Sequence, residues 1–237
     1  MKTVTIVIPF FDEEENLKIL LPELIKSIET KPTELDVSFV FVNDGSTDNG
    51  KSIVEKYFEN NNKVQLINLP KNSGQTGCFK VAFEQCSTNF IIRMDSDLQD
   101  NPSDLNLFFE KIISQDPDLI MGLREARKHS KVLRIMSALY DLLILTLFNT
   151  PLHSNSGSFV AFKTKFVKNL PWYANDHRYL PLIVIHRGAT KVSEVFVSHR
   201  ERKHGNTNYP KYRKIIFGIF EVILFMTRLR LGKYKNN

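Results

Sequence analysis

The chain reads as an α/β domain, a mostly parallel sheet flanked by helices. Three observations predict this. Runs rich in Val, Ile and Phe, such as TVTIVIPF and DVSFVFVN, alternate with segments of helical apolar spacing over about 120 residues, the pattern of successive βα units. The polar turns NDGSTD and DSDLQD follow such runs directly, at the strand ends where parallel sheets collect their ligands. No internal repeat or low-complexity linker breaks the alternation.

Each element has its own local reason. TVTIVIPF is β-branched and ends at Pro9, so a buried strand is expected there. EEENLKILLPELIKSIE then carries helical spacing, with acidic residues in the first turn as the helix dipole favours. DVSFVFVN gives a second strand, KSIVEKYFEN a helix and VQLINLP a third strand. A Gly-containing loop in KNSGQTGCFKVAFEQC feeds another helix, followed by the strand NFIIRMD. PSDLNLFFEKIISQ is helical, and PDLIMGLR, SFVAFK and VSEVFVSHRER are the later strands. The apolar stretches LRIMSALYDLLILTLF and IIFGIFEVILFM change the character of the second half, and RERKHGNTNYPKYRK between them is basic and polar. One domain over residues 1–212 with a basic amphipathic segment over 213–237 is the expected organisation.

Composition narrows the function. The 237 residues are 42% hydrophobic, enough for a sizeable core. A net charge of +6 points to a polyanionic partner: nucleic acid, an anionic membrane surface or a phosphorylated substrate. No nucleic-acid-reading motif accompanies that charge, which argues against the first. Cys78 and Cys86 form no CxxC pair, so neither a disulfide framework nor a zinc site is expected, and a reducing compartment suits the chain. The N-terminus lacks the length and cleavage site of a signal peptide, and no run reaches the roughly 18 apolar residues of a membrane span.

The chemistry concentrates in RMDSDLQD. Asp95 and Asp97 leave one face of an extended chain, and Gln99 continues that period. Such a set suits Mg²⁺ or Mn²⁺, hard cations that take few protein oxygens and complete their shell with phosphate and water. The competing reading is a helix start, with Asp100 and Asn101 capping ahead of Pro102. NSGQTG is not a P-loop, because it lacks the Lys-Ser/Thr ending. The histidines are scattered and suit packing or surface positions, and Trp172 suits packing better than a sugar platform.

In order along the chain, IPFFDEEENL, VNDGSTDNG, NSGQTGCFKVAF, RMDSDLQD, IMGLR, SFVAFK and HRERKHGNTNY resemble family 2 glycosyltransferases of the GT-A fold, over about residues 3–215. The branch they most resemble is that of the dolichyl- and polyprenyl-phosphate sugar synthases. The resemblance implies that Pro9, Phe11 and Glu13 lie in the donor-binding stretch, with Glu13 at the base or ribose and Asp12 where relatives carry Asn. It places Asp44 under the base and ribose, and Asp95 with the donor and the metal. Asp97 becomes the principal metal contact, with Gln99 in the same motif. Arg124 and Arg134 match arginines near the diphosphate or the acceptor phosphate, and Arg202 opens a basic acceptor loop. In that loop Thr207 replaces Ser and Asn208 replaces a basic residue, while Asn155 stands where relatives carry Asp.

The acceptor follows from the nucleophile. A sugar hydroxyl needs a carboxylate base within reach. A lipid phosphate, with a second pKa of about 6, is already largely ionised and needs none. With Asn at 155 and no ED or QxxRW motif, the resemblance implies an inverting, metal-dependent transfer from a UDP- or GDP-linked sugar to a polyprenyl phosphate. Transfer to a sugar hydroxyl of a surface polysaccharide, and a non-catalytic basic module that engages membrane or nucleic acid, are the alternatives. The apolar stretches flanked by Arg and Lys suit helices lying in a membrane interface, so peripheral attachment at the cytoplasmic face is expected, against a buried helix or an oligomer contact.

Overall fold

The computed structural model describes residues 1–124, 142, 146–148, 150–152, 157–198, 200 and 211–235, with all of their side chains except those of 211–217 and 219. Arg134, Asn155, Arg202, Thr207 and Asn208 lie outside these residues, as does most of LRIMSALYDLLILTLF.

The expected alternation is present. β1 (Lys2–Phe10), α1 (Glu14–Glu29), β2 (Leu35–Asn43), α2 (Gly50–Tyr57), β3 (Val64–Asn68), α3 (Gly74–Gln85) and β4 (Phe90–Arg93) follow one another. Then come α4 (Leu105–Gln115), β5 (Leu119–Arg124), β6 (Val160–Lys163), α5 (Leu180–His186), β7 (Val192–Val197) and α6 (Lys211–Arg230). The sheet has seven strands in the order β3-β2-β1-β4-β6-β5-β7. β1 pairs in parallel with β2 and β4, and β2 with β3; β6 alone runs antiparallel, between β4 and β5.

Alternation along each strand builds two cores. Val4, Ile6, Ile8 and Phe10 of β1 face Leu17, Leu20 and Leu24 of α1 and Phe108 and Phe109 of α4. Val7 and the β2 residues Val40 and Val42 join the other core, with Phe79 and Phe83 of α3, Ile183 of α5 and Phe225 of α6. The result is a sheet between two helical layers. α6 therefore belongs to one of those layers. Tyr179 stacks on Phe225 at 4.3 Å between ring centres, and Tyr234 beyond the helix is fully buried.

The chain leaves β1 for β2 on one side and returns to β4 on the other, so the order reverses between β1 and β4. At such a point the loops beyond the carboxyl ends part and leave a crevice. Pro9 fits this position. The Asp44 amide donates to the Phe10 carbonyl on the β2 side, so the neighbouring residue turns its nitrogen toward β4. The last β1–β4 pair is Val7–Arg93, and beyond it no ladder bond is lost to proline's missing N–H.

Candidate active site

Three strand ends open into this crevice. At the end of β2, Gly45 adopts φ +74°, and a Cβ there would come within 2.8 Å of the Lys71 carbonyl carbon. Glycine lets the loop ahead of α3 lie directly on the NDGS turn. Asp44, buried beneath it, accepts the Ser73 amide at 2.7 Å, the Ser73 hydroxyl at 2.9 Å and the Gly74 amide at 2.9 Å. The carboxylate thus captures the otherwise unpaired amides at the start of α3.

At the end of β1, Asp12 adopts φ 51° and accepts the Thr47 amide at 2.7 Å, clamping the β1 loop to the β2 loop. Pro9 is buried inside β1, and Phe11 is exposed at 40%, with Asp12 beside it exposed as well. Glu13 directly precedes α1, accepts from the Asn16 side chain and gives its carbonyl to the Leu17 amide at 2.9 Å. The helix-start reading of Glu13 is thus met by the geometry.

The end of β4 carries the acidic turn. Met94, Ser96, Leu98 and Asp100 are buried, while Asp95, Asp97 and Gln99 are half-exposed, as the period-two reading expects. Leu98 holds that alternation through the turn at φ 64°, a left-handed conformation unusual for a branched side chain. The Gln75 side chain donates to Asp95 Oδ1 at 3.2 Å, and the Gln99 amide donates to Asp97 Oδ1 at 3.1 Å. The capping reading holds for Asn101, which accepts the Ser103 amide at 3.2 Å. Asp100 does something else.

Asp100 is 1% exposed and lies beneath the turn. It accepts the Ser158 hydroxyl at 3.0 Å and faces Arg124 Nη2 at 3.3 Å, while Arg124 also donates to Ser158 at 2.5 Å. Burial pushes its carboxyl up to about 6; the Asp95 charge adds to the rise and Arg124 opposes it. Arg124, expected at a phosphate, is thereby anchored from β5 to the underside of the acidic turn. Arg93, the last residue of β4, is 5% exposed. Its guanidinium lies 4.7 Å over the Phe79 ring, donates to the His177 carbonyl and stands 3.9 Å from Asp95 Oδ1. His177 Nδ1 meets the Thr76 hydroxyl at 2.7 Å. Burial drives the imidazole down to about 3, with Arg93 and Arg178 adding to the fall, so it is neutral near pH 7.

The sequence reading missed Arg93, Asp100, Ser158, Gln75 and His177 as parts of this centre. One signal was available: Arg93 is a lone charge at the end of the apolar run NFII, where an unpaired charge is costly. Asp100 stands in the same turn, where its spacing reads as a helix cap, whereas Ser158, Gln75 and His177 come from distant elements and nothing local marks them.

The donors present fit a divalent metal. Asp95, Asp97 and Gln99 offer hard oxygens on the exposed side of one turn. Among the described residues no three His, Cys, Asp or Glu side chains form a ready-made cage. Mg²⁺ or Mn²⁺ would suit a set of this kind, since such cations take few protein oxygens and complete their shell with phosphate and water.

A parallel sheet with its acidic turn at the switch point is the architecture of a GT-A glycosyltransferase. The solved structure of glucosyl-3-phosphoglycerate synthase from Mycobacterium tuberculosis, crystallised with Mn²⁺, UDP and glucosyl-3-phosphoglycerate, has that fold. It superposes with a TM-score of 0.71 at 13% identity, over 98% of this chain and 80% of the other. The profile of the family described as glycosyl transferase family 2 matches residues 5–170, and the chain belongs to that family. Among curated proteins it is 26% identical over 228 residues to dodecaprenyl-phosphate galacturonate synthase from Rhizobium johnstonii, covering 94% of this chain and 67% of that one. It is 29% identical over 230 residues to undecaprenyl-phosphate 4-deoxy-4-formamido-L-arabinose transferase from Pseudomonas syringae, covering 96% and 66%. The chain thus spans about two thirds of the length of these relatives.

Proposed function

We propose that this glycosyltransferase moves a sugar from a UDP- or GDP-linked donor to a polyprenyl phosphate, with inversion and with the help of Mg²⁺ or Mn²⁺. The observation that carries the reading is the outward set Asp95, Asp97 and Gln99 at the β1–β4 crevice. The names of the curated relatives support the acceptor class. Phe11, Glu13 and Asp44 line the approach to the base and ribose from β1 and β2. Asp95, Asp97 and Gln99 would hold the cation, which as a Lewis acid offsets charge on the departing diphosphate. Arg134 and Arg202 would supply charge-assisted hydrogen bonds to phosphate oxygens, and Arg124, held by Asp100 and Ser158, would add its positive charge from beneath the turn.

In the transfer, a phosphate oxygen of the lipid forms a bond to the anomeric carbon as the bond to the donor diphosphate breaks. The electron pair leaves with the diphosphate, and the configuration inverts. No general base is needed, because the lipid phosphate arrives ionised. The reaction is tested with radiolabelled donor, Mn²⁺ and added polyprenyl phosphate, by the label extracted into organic solvent. Label transferred instead to a water-soluble glycan would overturn the acceptor. Asp97→Ala should reduce transfer about 100-fold or more, the cost of losing a principal electrostatic stabiliser. It should also abolish the melting shift that Mn²⁺ and a nucleoside diphosphate produce in the parent protein.

No helix among the described residues is long and apolar enough to cross a membrane. We place the enzyme at the inner membrane face through α6 and the turn beyond it. Phe220, Ile223 and Leu224 are 59%, 53% and 39% exposed on its outward side, and Leu231 follows at 67%. Arg230, Lys233 and Lys235 flank this apolar stripe, the composition of a helix lying in an anionic interface. Co-sedimentation with anionic vesicles tests it. Binding that survives serine substitution at Phe220, Ile223 and Leu224 together would sink the assignment.

A further inference from the structure

The charge distribution behind the acidic turn is unusual for a site meant to attract a cation. Asp95, Asp97 and Asp100 share the end of β4 with two guanidiniums, Arg93 buried at 5% exposure and Arg124 partly buried with its side chain 13% exposed. Arg93 is placed with care. Phe79 supports its flat face, the His177 carbonyl fixes Nη1, and Nη2 points toward Asp95 Oδ1 at 3.9 Å. Its Nε has no hydrogen-bond partner, so the side chain is not held there by a saturated set of neutral acceptors. Its ion-pair partner is Asp95, and the buried Asp100 carboxylate belongs to the same turn. A buried arginine whose main compensation is a metal-binding carboxylate must also repel the metal. A lone divalent cation approaching Asp95 meets that positive charge at close range, in a partly desolvated site where charge interactions are strong. A diphosphate reverses the balance, since it brings several negative charges at once.

We propose that Arg93 is a resident counter-ion for Asp95 that holds the site near charge balance before substrate arrives, so that the divalent cation enters together with the donor's diphosphate and not ahead of it. The proposal rests on the reading of Asp95 and Asp97 as metal carboxylates. It assigns Arg93 to the order of binding, and it makes the metal-free enzyme a stable resting form. The hydrogen bond from Gln75 at 3.2 Å keeps Asp95 Oδ1 on the Arg93 side of the turn and belongs to the same device.

The test follows free Mn²⁺ by its electron paramagnetic resonance signal, with and without UDP or GDP, after subtracting the Mn²⁺–nucleotide complex formed without protein. The parent protein should hold Mn²⁺ alone at least tenfold more weakly than Mn²⁺ with the nucleotide it prefers. Arg93→Met should tighten binding of Mn²⁺ alone at least tenfold, and Arg93→Lys, which keeps the charge, should match the parent. A folded Arg93→Met protein that holds Mn²⁺ alone no better than the parent overturns the proposal. So does a parent protein that binds Mn²⁺ equally well with and without nucleotide, a result that needs no variant. Should Arg93→Met lose its cooperative melting transition, Arg93→Gln, which can still donate to the His177 carbonyl, takes its place. If Asp97→Ala abolishes nucleotide-dependent binding while the Arg93 variants change nothing, only this inference falls. If the parent holds no Mn²⁺ under any condition, the metal reading of the site falls with it.

Discussion

Asp44 at the end of β2 caps α3: its carboxylate receives the Ser73 amide at 2.7 Å and the Gly74 amide at 2.9 Å. The residue expected beneath the nucleotide therefore also joins two elements of the fold. Asp44→Ala leaves these amides at the start of α3 without their charged acceptor, and stability should fall by about 2–3 kcal/mol, in the range for hydrogen bonds to a charged group. Asp44→Asn, which keeps one acceptor oxygen, should lose less. Urea denaturation measures both. A loss below about 0.5 kcal/mol for the alanine variant, the size of a neutral surface change, would show that the cap contributes nothing.

Asp100 and Arg124 form a buried pair at 3.3 Å that Ser158 completes. Removing only the cation leaves the carboxylate without its partner in a dry site, so Arg124→Met should destabilise the fold by about 3–5 kcal/mol. Asp100→Asn in the Arg124→Met background should return part of that loss, because the amide needs no counter-charge. A double-mutant cycle by chemical denaturation reads the coupling directly.

His177 gives the fold a pH dependence of definite sign. Its native pKa of about 3 lies below the unfolded value of 6.5, so the unfolded chain binds the extra proton between these limits. Stability from this residue is therefore complete above pH 6.5 and declines as pH falls toward 3, with a slope of at most about 1.4 kcal/mol per pH unit. His177→Gln should flatten that limb and leave the neutral-pH end nearly level. Urea midpoints between pH 7 and pH 4 would decide it, and an unchanged slope would refute the assignment.

Asp176, with no exposed surface, holds the C-terminal elements to the body. It accepts Tyr234 OH at 2.7 Å and Arg228 Nη1 at 3.1 Å, and burial raises its pKa against both partners. Arg228→Ala should cost about 3 kcal/mol, since it leaves a buried carboxylate without its cation. Tyr234→Phe removes one hydrogen bond and should cost about 1 kcal/mol. Equal losses would mean that charge compensation by Arg228 is not what secures this junction.

Much of the candidate site was legible one segment at a time. Asp95, Asp97 and Gln99 follow a period of two, which is a property of an extended chain. The structure keeps that period even through the left-handed Leu98. Pro9 and Gly45 could likewise be placed at a strand end and a turn, because their backbone limits are intrinsic. Asp100 shows where such reading stops. Its spacing suits a helix cap, and the structure gives it to Arg124 from β5 and Ser158 from the approach to β6.

What the sequence determined by itself is therefore the alternation of strands and helices and the acidic turn that ends β4, since these depend on side-chain periodicity and local backbone preference. The tertiary structure alone decided which charges compensate that turn from beneath, and that α6 closes one face of the sheet. Those outcomes depend on burial, which removes water as an alternative partner and makes the position of a distant arginine or tyrosine count. No single stretch of residues carries that information, because it is created only when separate elements exclude solvent together.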